Sequence, residues 1–301
     1  MEKSSNRQVY IGAFIYALIM GHSFLFTKIA LESANPMDIL AYRFTAAFIG
    51  IMIPRISGWI KVKYTRESIR RIIPIAILYP LLFFGFQTTG LQYTTSSEAG
   101  ILSAAAPIFT MILASYFLDE KTTTLQRLSI IVSVLGVVYV SVMKGASLDI
   151  NNILGIVLLI LSTISLAGYS VMGRVLTRDF SNIELSYLMI TISFIVYNLI
   201  AILNHAINGS VKNFFIPLSS MGFVISILYL GVLSSLVTSL LTNFILSRIE
   251  ASRMSVFANL GTVITIIAGA VYLKEKIYYY HIIGSILIIS GVIGTNYFKE
   301  E

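Results

Sequence analysis

Long apolar runs divided by short polar punctuation dominate this chain. A bilayer-crossing helix needs about 20 predominantly apolar residues, rising about 1.5 Å each. Ten such stretches are readable: residues 9–31, 36–56, 72–92, 98–118, 124–143, 152–173, 184–205, 222–246, 252–273 and 279–297. The breaks between them carry helix-start and turn chemistry. Asn35-Pro36 opens the second stretch, Asp119-Glu120-Lys121 follows the fourth, Asn151-Asn152 precedes the sixth, and Asn208-Gly209-Ser210 follows the seventh. The longest polar intervals are 57–71 and 206–221. The pattern predicts an all-α membrane protein with ten transmembrane helices and no separate soluble domain. The first stretch is too long for the core of a cleavable signal and lacks a small-residue cleavage site, so it reads as a retained helix.

Composition agrees with the pattern. Hydrophobic residues make up 56% of the 301 positions and charged ones 12%, against about 45–50% and about 25% in soluble domains. A water-soluble fold could not cover that much apolar surface, so the lipid bilayer is the expected solvent and partner. The absence of cysteine excludes disulfides, thiolate metal sites and cysteine nucleophiles. A net charge of +7 raises nucleic acid as a partner. The basic residues lie in short inter-helix loops, however, and make no binding face, so no nucleic-acid partner is expected.

Those loops orient the chain. With the N-terminus inside, the inner loops and tails hold fifteen Lys and Arg residues, among them Arg55, Arg66, Arg70, Arg71, Arg174 and Arg178. The outer loops hold five: Lys28, Lys144, Lys212, Lys274 and Lys276. Arg43 is left well inside a span, away from either end. Because basic loops stay on the cytoplasmic side, both termini are predicted in the cytoplasm and the protein in the cell (plasma) membrane.

The two halves repeat. Moving residues 97–141 by 155 positions lays them on 252–296 without a gap: Leu118-Asp119-Glu120-Lys121 falls on Leu273-Lys274-Glu275-Lys276, and Gly136 on Gly291. Upstream, a shift of 146 brings Lys28 onto Arg174 and Asp38 onto Glu184. Residues 1–146 and 147–301 are thus expected to be two five-helix repeats. Five is odd, so the second repeat enters the membrane from the opposite side, an arrangement used by alternating-access transporters.

Several short motifs recur in order along this framework. Gly21-His22-Ser23 precedes Lys28; Pro36 precedes Arg43; Ser97-x-Ala99 leads through Pro107 to Leu118-Asp119-Glu120; Ala251-Ser252 leads to Leu273-Lys274-Glu275. In this the chain resembles the EamA family of the drug/metabolite transporter superfamily over nearly its whole length. Met20 stands where that family has tryptophan, and Thr262 where its second copy usually has proline. The resemblance implies ten helices, cytoplasmic termini, a central cavity between two five-helix bundles, and secondary transport, often export, of a small organic metabolite such as an amino acid.

The repeat also sorts polar residues. Features shared by both halves suit the scaffold: Glu120 with Glu275, each ending a helix, as caps or charge partners for the next helix; and Gly136 with Gly291, as points of close helix contact. Features found in one half suit a substrate. His22 faces Gly168, Arg43 faces Met189, Gln87 faces Thr242 and Asn259 faces Ala104; these four are the substrate-binding candidates. Arg43 could instead snorkel outward, or pair with Asp38 or a carbonyl. His22 could be a neutral imidazole bonded to a neighbouring helix, or a proton relay. Pro80 and Pro107 should bend the third and fourth helices and free a carbonyl.

Enzyme motifs are lacking. The sequence has no H-E-x-x-H, Walker loop or G-x-S-x-G, so neither catalysis, cofactor, metal nor direct ATP hydrolysis is expected, and coupling to a proton or other ion remains open. An intramembrane lipid enzyme would need clustered ionisable groups at one surface, and a non-transporting sensor would bind without flux. A carrier of sugar nucleotides or sugar phosphates would need several cavity bases, whereas Arg43 stands alone. Oligomeric state is not readable.

Overall fold

The computed structural model describes residues 2–58, 65–119, 123–143 and 150–297. Among them there is no strand. The helices, in chain order, are α1 (Glu2–Leu31), α2 (Pro36–Ile56), α3 (Arg66–Gly90), α4 (Ser96–Phe117), α5 (Thr124–Met143), α6 (Ile150–Leu176), α7 (Asn182–Ile207), α8 (Met221–Leu246), α9 (Ala251–Tyr272) and α10 (Tyr279–Tyr297). Seven, α1 to α4 and α6 to α8, contain stretches long and apolar enough to cross a membrane; α5, α9 and α10 contain shorter apolar stretches. The polar interval after α7 folds into a short helix, Val211–Phe215, and a 3-10 turn, Ile216–Ser219.

Helix starts follow local chemistry. Asn35 accepts hydrogen bonds from the Met37 and Asp38 amides ahead of Pro36. Thr95 with Glu98, and Ser181 with Glu184, form reciprocal capping boxes at α4 and α7. α3 starts at Arg66, earlier than the hydropathy pattern places it, because the Thr65 side chain caps the Ser68 amide.

Three helices depart from regular α-helix near their middles. In α3 the Tyr79 backbone is extended (φ −141°, ψ 123°) before Pro80, within a widened turn over Ile77–Leu82. α8 carries a similar widened stretch over Tyr229–Val237 without any proline. α4 breaks after Ser103 and resumes at Ala106, with Pro107 in the first turn of the second segment. α9, with Thr262 at the equivalent place, runs unbroken.

Packing follows a definite set of pairs. α1 lies on α9 and α6 on α4; α3 lies on α6 and α8 on α1; α2 lies on α8 and α7 on α3. α2 with α7, α4 with α9, and α5 with α10 also pack together. The main buried cluster, containing Tyr16, Phe44, Tyr79, Phe84, Tyr169 and Tyr197, draws on α1 to α4 and α6 to α9.

Candidate functional site

The widened turns of α3 and α8 lie against different neighbours, the first against α6 and α7 and the second against α1 and α2. Carbonyls near Pro80 are taken up by side chains rather than by a cavity: Leu81 O accepts from the Tyr197 hydroxyl at 2.5 Å and Phe83 O from Ser162 Oγ at 2.9 Å. Gly231 of α8 sits against α2 so closely that a Cβ there would come within 2.6 Å of both Ala46 Cβ and the Arg43 carbonyl. That approach lets Ser234 and Ser235 reach the Arg43 side chain.

Arg43 is completely buried. Its Nε donates to Ser235 Oγ at 2.7 Å, and Nη2 donates to Ser234 Oγ at 2.9 Å and the Ser234 carbonyl at 3.1 Å. The guanidinium lies 3.6 Å from the centroid of the Phe84 ring, a cation–π arrangement. Nη1 has no partner. Burying a cation without a counter-charge is costly, and among the described residues no carboxylate pairs with it. Of the alternatives to a substrate role, snorkelling and the Asp38 pairing are not seen, whereas pairing with a carbonyl is, that of Ser234. Asp38 instead faces His205.

Gln87, on α3 one turn beyond Phe84, is buried with Oε1 unpartnered. It lines a cavity of about 30 Å³ with Met20, Phe83, Ser103 and Thr262. A second cavity, of about 10 Å³, is lined by Thr110, Ser170 and Thr242, and Thr110 Oγ1 is also unpartnered. Tyr16 and Leu166 border both. Each is far below the roughly 300–1,000 Å³ of a small-molecule site. Met20 connects the layers: it borders the larger cavity and its sulfur lies 3.7 Å from Ser234 Oγ.

The remaining candidates lie elsewhere. His22 shares the outward stripe of Ile11, Ile15 and Leu18 on α1 and hydrogen-bonds the Leu18 carbonyl of its own helix at 2.9 Å, not a neighbouring helix. It borders neither central cavity. Asn259 is on α9, but its side chain lies outside the described residues, as does the whole of Glu120. Glu275 caps α4 rather than the adjoining α10: its carboxylate accepts from the Ser96 amide at 3.0 Å, Ser96 Oγ at 2.8 Å, the Ser97 amide at 3.1 Å, and Ser97 Oγ. Pro107 is buried at the α4 break. A Cβ on Gly136 would lie 2.8 Å from the Gly284 carbonyl of α10, and one on Gly291 would overlap the Ser129 carbonyl of α5.

Sequence reasoning did not single out two polar groups. His205 Nε2 sits 3.0 Å from both carboxylate oxygens of Asp38, while Nδ1 faces Ser210 O at 3.0 Å and Ser210 Oγ at 2.9 Å, clamping the ends of α2 and α7. Tyr169 donates to Asn243 Oδ1 at 2.9 Å and stacks on Tyr79 with centroids 4.4 Å apart; Asn243 in turn donates to Ser186 Oγ at 2.9 Å. The signal for the first was a histidine beside the polar punctuation after α7, and for the second an asparagine inside the apolar run of α8.

The chain matches the EamA-like transporter family twice, over residues 7–142 and 153–297. It is 47% identical to the uncharacterized transporter YcxC of Bacillus subtilis (strain 168), over 100% of this chain and 96% of that protein. It is 28% identical to an uncharacterized transporter of Archaeoglobus fulgidus, over 90% of this chain and 92% of that one. A solved crystal structure superposes with a TM-score of 0.74 at 14% identity, covering 97% of this chain and 99% of the other. That likeness is one of fold.

Proposed function

Taking as premise that this multi-pass membrane chain belongs to the EamA-like transporter family, we propose that it is a secondary transporter of a small organic metabolite such as an amino acid. It works as an exporter by alternating access. Its ten helices form two inverted five-helix halves in the plasma membrane, with both termini cytoplasmic as the basic loops require.

One observation supports the reading: the helix pairs fall into two corresponding sets. Advancing each helix by five turns the pair α1–α9 into α6–α4, α3–α6 into α8–α1, and α2–α8 into α7–α3, while α2–α7, α4–α9 and α5–α10 map onto themselves. The interrupted helices α3 and α8 are equivalents. So are Asp119 and Lys274, the two non-glycine residues with positive φ among those described (53° and 54°). The two small cavities correspond as well, since the offsets carry Gln87 to Thr242 and Met20 to Leu166. Two like halves that share a polar centre can rock about it and open it to one side at a time.

In this reading the free Nη1 of Arg43 and the free Oε1 of Gln87 are the polar ends that substrate satisfies when the centre widens, with Asn259 on the facing helix. The transported proton or ion, if there is one, is a further ligand of this layer. The test is exchange of labelled solutes by purified protein in liposomes, across a panel of amino acids and other metabolites. Accumulation of at least one solute, abolished in Arg43→Met, is expected; no exchange of any solute overturns the proposal.

A further inference from the structure

A further cavity lies away from the centre. A groove of about 590 Å³ opens between α3, α4 and α6, at the end of the bundle that carries Arg71 and Arg174. Its volume falls in the roughly 300–1,000 Å³ range of small-molecule sites, unlike the central cavities. Its walls are apolar, with Leu78 from α3, Leu113 and Phe117 from α4, and Val171 and Met172 from α6. Arg71 is the single charged side chain among the described lining residues. It is held at the rim by an ion pair with half-exposed Asp179, its guanidinium 5.2 Å from the Phe180 ring centroid.

The groove abuts the centre. Leu78 and Gly168, on facing walls, immediately precede Tyr79 and Tyr169, whose stacked rings separate the groove from the layer of Arg43 and Asn243. At Gly168 the wall is kept low by the lack of a side chain, since a Cβ there would lie 3.1 Å from Leu78 Cδ1. The repeat offsets lead from this groove to the opposite end, between α1, α8 and α9. There Phe26, equivalent to Met172, stacks on Tyr229 with centroids 4.0 Å apart. The Tyr229 hydroxyl donates to the Ile19 carbonyl at 2.9 Å, and His22 takes the place of Gly168. Bulky side chains fill one end where the other is open.

We propose that this groove is a second solute site, through which the transported molecule reaches the centre, and that it selects an amphipathic monoanion: an apolar body against α4 and α6, one acidic group at Arg71. The role in transport rests on the function proposed above, whereas the binding does not. An acidic group at the rim competes with Asp179 for the guanidinium, and the apolar body gains by leaving water.

The test uses the full chain in nanodiscs of neutral phosphatidylcholine, with decanoate, decylamine and decanol as probes and thermal shift titration as readout. Decanoate should stabilise the protein more than either other probe. Gly168→Trp should weaken its apparent affinity by at least about tenfold, and Leu113→Trp does the same from the opposite wall should the first variant not fold. Arg71→Gln should erase the preference for decanoate over decanol, and Asp179→Asn should tighten decanoate binding. Equal shifts from all three probes, or a decanoate affinity unchanged in both tryptophan variants, would overturn the groove assignment. Flux of any solute by protein that does not bind decanoate overturns the groove alone. Decanoate binding of this pattern without flux upholds the site and removes the transport reading.

Discussion

The α5–α10 pair and the layer around Arg43 join helices by opposite means. In lipid, no hydrophobic force distinguishes a neighbouring helix from an acyl chain, so association depends on close packing and on polar contacts. α5 and α10 use packing: both run without interruption, and Gly136 and Gly291 let backbone meet backbone. The central layer uses polar contacts between interrupted helices and leaves several of them unfinished. Of the seven buried side-chain atoms that lack a partner among the described residues, only Ser133 Oγ belongs to the α5–α10 pair. Completed packing suits a scaffold, and orphaned donors and acceptors suit a place where something else binds.

Substitutions can break that contrast. The largest effect is expected from Gly291→Leu, because the new side chain would meet backbone of α5 rather than a movable side chain. Overpacking costs about 1–3 kcal/mol where neighbours can yield, and more here. Monodisperse protein, measured by size-exclusion chromatography of a fluorescent fusion, should nearly vanish. Normal yield would mean that the pair is not the scaffold.

Arg43→Met should cut solute flux by at least about tenfold while leaving the melting temperature unchanged or higher, since exchanging a buried unpaired ion for an apolar group is often neutral or stabilising. Lysine should not restore flux, as it lacks the planar fork. A collapse in yield without a specific flux defect would move Arg43 to the scaffold side.

Glu275→Gln comes next. The amide cannot accept all four hydrogen bonds from Ser96 and Ser97, so a loss of about 1–3 kcal/mol is expected. It should be seen as a lower melting temperature with unchanged apparent substrate affinity. A changed selectivity at normal stability would contradict the capping role. Gln87→Leu is the mildest: removing an unpartnered acceptor should leave stability within about 0.5 kcal/mol and reduce flux severalfold in liposomes. A large loss of stability would show that Oε1 has a structural partner.

The hydropathy pattern located the helices closely. The expected 36–56 coincides with Pro36–Ile56, because Asn35 and Pro36 act locally at its start. The break in α3 was legible too, since Pro80 has no amide hydrogen. The equivalent widened stretch in α8 was not, because Tyr229–Val237 contains no residue that forbids a regular helix; there Gly231 sits close against α2. The same limit explains Arg43. Its sequence neighbour Asp38 was a plausible partner, but Asp38 lies one turn away on α2 and is taken by His205, 167 residues distant. The outward turn of His22 is a matter of which helix lies beside α1, and no pattern within α1 states that. Glu275 was recognised as a helix-end group, yet the helix it caps is in the other half. Elements were readable where the cause lay within a few residues, and the site was hidden where the cause lay across the bundle.

The central claim is that one polar centre is reached from the two membrane faces in turn. The chain has no cysteine, so single cysteines at Ser103, in the larger central cavity, and Ser170, in the smaller, can be probed without background. The decisive measurement is their modification by a membrane-impermeant maleimide applied to intact cells or to inverted vesicles. The account predicts that Ser103→Cys reacts from the outer face and Ser170→Cys from the cytoplasmic face. Reaction of both from the same face, or of neither from any face, would contradict it.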